Sequence, residues 1–246
     1  MTTAGGRTGR YPPAQGALAT AMITLAGTPE HSSSVAGQLV SIARLTAERV
    51  SAARYASITA LRGRTYTTVA VSDELIRAVD DAQYADNAGP CLHALDTDAP
   101  VGVPDIDTTL QWPGFHEAAP RMGLHASVSV PLYAGRGEAI ATLNVYSHDR
   151  VAMAPLIAGI CSVHGQTHGE TSDETLQSQL DEGARELVTG YAEALSVRAT
   201  VQLAIELIRA DNRCSADDAY LTLCIRAVDA GTDLAEAATA LIGGGS

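Results

Sequence analysis

The chain has 246 residues, and its 46% hydrophobic content is enough to bury a core and excludes a disordered protein. All sixteen basic residues are Arg, which excludes a catalytic or Schiff-base lysine and the lysine of a phosphate-binding P-loop. The net charge is −12, and residues 151–246 hold five Arg against fourteen acidic residues, which argues against nonspecific binding of nucleic acid.

The sequence predicts a cytoplasmic protein with no membrane span. Its apolar stretches are shorter than the roughly 18 residues that a span needs. Arg7 and Arg10 precede no apolar segment like that of a signal peptide. The four cysteines have no regular spacing, so we expect free thiols rather than a disulfide scaffold.

The first third of the chain predicts two helices and a hairpin after a disordered tail at residues 1–14. Residues 15–25 predict a helix of small residues, and Ser32 to Ser34 offer N-caps for a second predicted helix that ends near residue 50. Residues 55–61 and 66–71 then alternate between apolar and polar side chains, which is typical of a β-hairpin.

The middle third interleaves short helices with three further strands. The predicted helices are 73–82, with Leu75, Ile76 and Val79 on one side, 91–95 and 112–123. The predicted strands are 101–103, 126–131 and 139–146. Five strands with inserted helices indicate an α+β fold built on an antiparallel sheet.

From residue 152 onward the pattern is helical. Residues 152–164 predict a helix, 165–172 a loop, and 175–209 a long helix, followed by two short helices that begin near Ser215 and Thr232. A stripe on the long helix is either a coiled-coil seam or an ordinary packed face; it consists of Leu176, Leu180, Leu187, Tyr191 and Leu195.

Five ordered motifs in residues 34–148 resemble a known family. They are Gly89-Pro90-Cys91-Leu92, Val101-Gly-Val-Pro-Asp105, Trp112-Pro-Gly-Phe115, Ser129-Val-Pro-Leu132 and Leu143-Asn-Val-Tyr-Ser147. This order is similar to that of actinobacterial GAF domains, which are small-molecule sensors with a PAS-like sheet. The resemblance implies a sensor domain at residues 15–150.

The resemblance also implies a ligand pocket between the sheet and the inserted helices. The candidate lining residues combine apolar walls with polar groups, and they are Cys91, His93, Trp112, Phe115, Ser127, Ser129 and Tyr146. Strand alternation places Ser127 and Ser129 on the same face. An alternative is a pocket filled by the protein's own side chains, in a domain that serves as a dimer scaffold.

The C-terminal 52 residues resemble an ANTAR domain, a helical module that binds paired RNA hairpins and promotes antitermination. The matching positions are Leu195, Arg198, Ala204, Ser215 to Tyr220, Leu234 and Ala238. The resemblance implies a linker at residues 151–194, a three-helix domain at 195–246, and a GAF-ANTAR regulator that senses a signal and acts on RNA.

Most of the basic positions of the ANTAR pattern are replaced in this chain. Ile205-Glu206, Cys224-Ile225 and Thr232-Asp233 stand at those sites, so we expect weak RNA binding. The remaining candidates for contact with phosphate are Arg198, Arg209, Arg213 and Arg226. Arg198 alone matches a basic position, and the alternative for all four is a solvated surface arginine.

Metal binding and catalysis find little support in the sequence. Cys161, His164 and His168 lie at helical spacing, yet a structural zinc site normally has four patterned ligands, so we expect no metal and no cofactor. His93 and His125 are lone histidines, which are more often hydrogen-bonded residues than ligands. No nucleophile elbow, phosphate loop or zinc-protease motif is present, so we expect no enzyme.

The expected partners are a second copy of the chain, a small molecule in the pocket and weakly bound RNA, with no membrane. The predicted homodimer uses the helices around residues 34–50 and 175–209, because their apolar stripe needs a partner surface. The second hypothesis is an interaction or scaffold protein of the same ancestry, whose acidic helical half contacts another protein.

Overall fold

A computed structural model describes residues 16–63, 65–165 and 178–244. It confirms the predicted α+β fold, with a five-stranded antiparallel sheet, flanking helices and a C-terminal helical region. The predicted tail at residues 1–14, most of the predicted loop at 165–172, Leu176 and His168 lie outside the described residues.

Helices make up most of the described residues. They are α1 (Ala17–Ala26), α2 (Ser34–Arg49), α3 (Arg77–Ala85), α4 (Pro90–Thr97), α5 (Pro113–Arg121), α6 (Arg150–Val163), α7 (Glu182–Asn212), α8 (Ala216–Ala230) and α9 (Leu234–Gly243). Short 3₁₀ helices cover Glu74–Ile76 and Ile106–Thr108. Within the described ranges, no helix is long and apolar enough to cross a membrane.

The sheet has the strand order β2-β1-β5-β4-β3, and neighbouring strands are antiparallel. The strands are β1 (Tyr55–Arg62), β2 (Thr65–Val71), β3 (Val101–Val103), β4 (Ala126–Ala134) and β5 (Glu138–Ser147). The central strand β5 places Tyr146 opposite Tyr55 of β1 and Ser127 of β4. The side chains of these three residues, one from each of three neighbouring strands, therefore lie side by side on one face of the sheet.

One face of the sheet is apolar and carries the main core. Ile58, Val130 and Leu143 point to this face, and each is fully buried. They pack with apolar residues of α1, α2, α6 and the first half of α7. Because successive strand residues point to opposite faces, the residues between them must lie on the other face.

The predicted long helix is interrupted near its start, so the prediction of one helix from residue 175 is wrong. A bend at Leu180 separates residues 178–179 from α7. The carboxylate of Asp181 caps α7 by accepting a hydrogen bond from Ala184 N at 2.7 Å. Leu180, Leu187 and Tyr191 of the predicted stripe are buried in the core of their own chain, so the stripe is a packed face here.

The second half of α7 forms a three-helix bundle with α8 and α9. Their shared core contains Val201, Ala204, Tyr220, Leu223 and Leu234. Backbone hydrogen bonds attach the α1–α2 loop to the bundle and to the sheet, since Gly27 O accepts from Leu234 N at 3.1 Å and Thr28 O accepts from Gly135 N at 2.8 Å. One continuous helix therefore belongs to both hydrophobic cores.

Glycine permits the close approach of α7 to α1 and α2. A Cβ atom added to Gly183 would overlap the carbonyl group of Arg49, and one added to Gly190 would lie 2.7 Å from the Cα of Ala19. Next to this contact, the buried Glu186 accepts hydrogen bonds from Leu18 N at 3.0 Å and from Arg49 Nε at 2.8 Å. The three helices are thus joined by backbone contact and by the ion pair between the partly exposed Arg49 and the buried Glu186.

Gly183→Ala tests whether this contact fixes the helix packing. In an open helical position, Ala is more stable than Gly by about 0.5–1 kcal/mol. At residue 183 we expect a loss of roughly 1–3 kcal/mol in the free energy of unfolding instead, because the methyl group collides with backbone atoms. Urea denaturation measures the change.

Gly37→Ala is the matched control. Gly37 lies in α2 with no atom within 4 Å of an added Cβ, so this variant should be as stable as the wild type or more stable. Equal stabilisation by both substitutions would show that α7 does not depend on close contact with α2.

Candidate functional site

The second face of the sheet is lined by polar side chains that are nearly all buried. Helices α3 and α4 cover this face, and α5 packs on α3. The polar groups, together called the polar layer, are Ser57, Thr59, Thr68, Asp80, Gln83, Tyr84, Ser129, Asn144 and Tyr146. Along the strands, the polar residues of this layer alternate with apolar residues, so the sheet has one apolar face and one polar face, both buried.

Asp80 of α3 lies at the centre of the polar layer and is fully buried. Three hydroxyl groups donate to its carboxylate: Tyr146 at 2.7 Å, Thr68 at 2.9 Å and Ser57 at 3.1 Å. Burial raises the pKa of Asp80 to about 6, and the three donors oppose this rise by stabilising the charged form. The carboxyl group can therefore gain or lose a proton close to neutral pH.

The neighbouring groups form a continuous hydrogen-bond network. Asn144 donates to Ser57 Oγ at 3.2 Å and to Thr59 Oγ1 at 3.0 Å, and its carbonyl accepts from Ser129 at 3.0 Å. The hydroxyl of Tyr84 lies 2.8 Å from both Thr59 Oγ1 and Thr68 Oγ1. Burial raises the pKa of Tyr84, so its hydroxyl stays neutral. The network connects β1, β2, β4 and β5 to α3.

The first turn of α4 joins the same network through its backbone. Cys91 N donates to Gln83 Oε1 at 3.1 Å, and Cys91 O accepts from Thr142 Oγ1 at 3.3 Å. The amide of Gln83 also donates to the hydroxyl of Tyr146 at 3.3 Å. Burial raises the pKa of the Cys91 thiol, which favours a neutral thiol over a reactive thiolate.

Five of the seven predicted pocket residues are buried on this side of the sheet. They are Cys91, Phe115, Ser127, Ser129 and Tyr146. Ser127 Oγ is buried and has no hydrogen-bond partner among the described residues. His93 is exposed and Trp112 half-buried, with their ring centroids 6.1 Å apart, so these two lie at the rim. Apart from Ser127, the buried polar groups of this face bond to one another, so most of their hydrogen-bonding capacity is used within the protein.

The sequence pattern did not single out Asp80, the central residue of the network. It placed Leu75, Ile76 and Val79 on one side of a helix at residues 73–82, whereas Ile76 and Val79 are buried and Leu75 is exposed. The reason is that Glu74–Ile76 forms a 3₁₀ turn, in which Asp73 accepts from Leu75 N at 2.9 Å. In the α-helix that follows, Asp80 and Gln83 share a face with the buried Val79. A carboxylate beside an apolar helix position was the available signal.

The residues considered for metal binding have other contacts. His164 Nδ1 lies 3.3 Å from the hydroxyl of Tyr191, and His125 Nδ1 lies 3.2 Å from Asp107 Oδ2. Cys161 lies against Gly102 of β3. In the described part of the chain, no three His, Cys, Asp or Glu residues are grouped so as to hold a metal ion.

Two of the four candidate arginines for RNA contact are bound within the protein. The guanidinium of Arg198 donates to the carboxylate of Asp98 and lies 4.4 Å above the ring centroid of Tyr133. Arg209 donates to Glu206 at 2.7 Å on the same helix.

The other two arginines are exposed. Arg213 ends α7 in a left-handed conformation, at a φ of 51°. Arg226 borders a cleft of about 560 Å³ that Asp211 and the end of α9 also line. The surface that the sequence predicted for phosphate contact therefore mixes engaged arginines with acidic groups.

Comparisons with known proteins identify one matching family and several solved structures of low sequence identity. The sequence model of the family described as GAF domain matches residues 36–162. No curated protein sequence matches the chain.

Three solved structures are similar at low identity. A type II free methionine-R-sulfoxide reductase from Thermoplasma acidophilum is 13% identical, covers 70% of this chain and 94% of its own, and has a TM-score of 0.38. A GAF domain region from Geobacter sulfurreducens PCA is 14% identical, with coverages of 59% and 83% and a TM-score of 0.33. A domain from Sinorhizobium meliloti 1021, described as part of a two-component sensor histidine kinase, is 14% identical, with coverages of 74% and 96% and a TM-score of 0.37.

The protonation of Asp80 should make stability depend on pH. Because its folded pKa of about 6 exceeds the ordinary value of 3.8, the native state holds this proton more tightly than the unfolded chain. This stabilisation is complete below about pH 4 and is lost as the pH rises through about 6. In Asp80→Asn it is absent, so we expect the stability of the variant relative to the wild type to increase by about 3 kcal/mol between pH 4 and 7.

Urea denaturation at pH 4, 5, 6 and 7 measures this difference. Asp229→Asn, at an exposed position of α8, is the control and should follow the wild type. Parallel pH profiles for the wild type and Asp80→Asn would mean that the buried carboxyl keeps an ordinary pKa.

Proposed function

The chain belongs to the GAF domain family, and we propose that it is a cytoplasmic signal-sensing regulator of gene expression with a C-terminal output module of the ANTAR type. GAF domains are commonly signal-sensing parts of regulators. In this chain the sensor is the sheet with its polar layer, and the output module is the bundle of α7, α8 and α9.

The observation that carries this proposal is the shared helix α7. Its first half packs against the sheet core through Leu187 and Tyr191, and its second half packs into the bundle through Val201 and Ala204. A change in the sheet that alters the packing of the first half must therefore act on the second. The expected mechanism is a shift between two packings of one helix, selected by the signal.

The hydrophobic frame of the bundle supports an ANTAR-type module. Ala204, Tyr220, Leu234 and Ala238 stand at positions of the family pattern, and all four are buried in the bundle core. Ser215 caps α8 by accepting a hydrogen bond from Asp218 N at 3.1 Å. The frame needed to fold such a module is thus present, whereas most of its phosphate-contacting charges are replaced.

We predict weak binding to hairpin RNA at physiological salt. Residues 195–246 carry four Arg against seven acidic residues, and two of the arginines are paired within the protein. The dissociation constant should lie in the nonspecific range, about 10⁻⁶–10⁻⁴ M, with each phosphate contact contributing about 0.7–0.9 to the salt slope. Fluorescence anisotropy with a double-hairpin RNA at low and moderate salt measures both quantities.

Two variants distinguish RNA binding by the C-terminal bundle from nonspecific binding elsewhere on the protein. Arg226→Gln removes an exposed arginine of the bundle and should reduce both affinity and salt slope. Arg44→Gln removes an exposed arginine of α2 and should change neither the affinity nor the salt slope. Submicromolar binding that Arg226→Gln leaves intact would place the RNA on another surface.

A second candidate function is that of a protein-interaction module derived from the same family. Leu221, Ile225 and Val228 form an apolar stripe on the outer side of α8, and each is more than half exposed. Acidic residues of the same helix border the stripe, among them Asp218 and Asp229. Such a surface fits a partner with an apolar ridge flanked by basic residues.

The apolar stripe that suggested a homodimer packs within its own chain, so the homodimer is tested on exposed apolar residues of the same helices. Val40 on α2 and Leu203 on α7 are exposed apolar residues of the helices predicted to form the dimer. Light scattering at micromolar concentration should give the mass of a dimer for the wild type and of a monomer for Val40→Asp or Leu203→Asp. Leu221→Asp, on α8, is the control and should remain dimeric. A wild type of monomeric mass would contradict the dimer, and a monomeric Leu221→Asp variant would move the interface to α8.

A further inference from the structure

Helix α4 spans the distance between the polar layer and the output helix. At its first turn, the backbone of Cys91 is hydrogen-bonded to Gln83 of α3 and to Thr142 of β5. Gln83 in turn contacts Tyr146, which donates to Asp80. The start of α4 is therefore attached to the buried carboxyl group through two intervening side chains.

The other end of α4 is attached to α7. Asp98 is the C-cap of α4 and has a left-handed backbone, with a φ of 55°. Its carboxylate accepts from the guanidinium of Arg198, and its carbonyl accepts from Tyr133 at 3.5 Å. Arg198 also lies 4.4 Å above the ring centroid of Tyr133. The end of α4, one strand residue and one residue of the long helix thus form a single contact.

We propose that α4 couples the polar layer to the C-terminal bundle and that the Asp98–Arg198 pair is the contact through which this coupling passes. The inference rests on the proposed function and adds its path of regulation. Because α4 is a short continuous helix, a shift of Cys91 displaces Asp98 as well. Asp98 and Arg198 are positioning residues that hold α7 relative to the sheet.

A second contact holds the bundle without involving α4. Arg136, in the β4–β5 turn, donates to Asp217 of α8 and to Glu30 of the α1–α2 loop, and it lies 5.0 Å from the ring centroid of Tyr220. Removal of either arginine contact should loosen the bundle. Only the contact at Arg198 should respond to a change in the polar layer, so Arg136 supplies the matched control.

The experiment is hydrogen–deuterium exchange of the full-length protein, read on peptides from α8 and α9. Asp98→Asn should increase exchange there about tenfold or more while the strands stay protected, because the bundle opens without global unfolding. Arg198→Gln should have the same effect. Arg209→Gln, which breaks a pair within α7, should leave the α8 and α9 exchange unchanged.

The coupling itself is tested by a double-mutant cycle. Gln83→Met removes the acceptor of Cys91 N and should increase exchange of α8 and α9 in the wild-type background. In the Asp98→Asn background, Gln83→Met should increase this exchange little further, because the Asp98–Arg198 contact is already lost. In the Arg136→Gln background it should increase the exchange as much as in the wild type. Unaltered strand protection in each variant shows that the sheet remains folded.

Two results would overturn the inference. One is an Asp98→Asn variant whose bundle stays as protected as in the wild type. The other is a Gln83→Met effect of equal size in the wild-type and Asp98→Asn backgrounds. The exchange measurement needs neither RNA nor a partner protein, so failed RNA binding would count against the output activity alone. Additive effects of Gln83→Met and Asp98→Asn on exchange would count only against coupling through α4.

Discussion

The buried carboxylate of Asp80 is the constraint that organises the sensor domain. A buried charged group is costly unless hydrogen bonds satisfy it, and here the hydroxyls of Ser57, Thr68 and Tyr146 supply them. These donors come from β1, β2 and β5, so the carboxylate has its full set only when three strands and α3 are in register. The position of α3 over the sheet follows from this requirement, and α4 is then placed by its contact with Gln83.

The two faces of the sheet hold their helices in different ways. On the apolar face, α1, α2 and α7 are held by burial of large side chains and by backbone contact at Gly183 and Gly190. Packing of this kind tolerates little displacement, because interiors are close-packed. On the polar face, α3 and α4 are held by directional hydrogen bonds, and α3 is also held by the apolar cluster that Val79 forms with Tyr55 and Phe115. On our proposal, the polar face is the side of the sheet at which a signal would act.

Local patterns predicted the strands and the shared face of Ser127 and Ser129, because alternation is set by neighbouring residues. The sequence predicted only some of the residues on the covered side of the sheet. Cys91 and Tyr146 are buried there as expected, whereas His93 is exposed. Asp80 was missed because an Asp in a helix usually faces solvent, and its place beside Val79 is a weak signal until the three strands that supply its donors are positioned. Gly183 lowers the helix propensity of α7 at its position, yet its lack of a side chain is what lets α7 meet α2.

Arg198 shows that a residue assigned from a local charge pattern can have a distant partner in the fold. In sequence it is a basic residue at a phosphate-contacting position, but its partner Asp98 is 100 residues away in the chain and lies beside it in the fold. If the bundle acts on RNA through Arg198, the guanidinium must exchange Asp98 for a phosphate. Docking of the bundle and binding of RNA are then linked equilibria, and whatever strengthens one weakens the other by the same factor. A contact that sets the position of α7 would thereby also set the availability of the output surface.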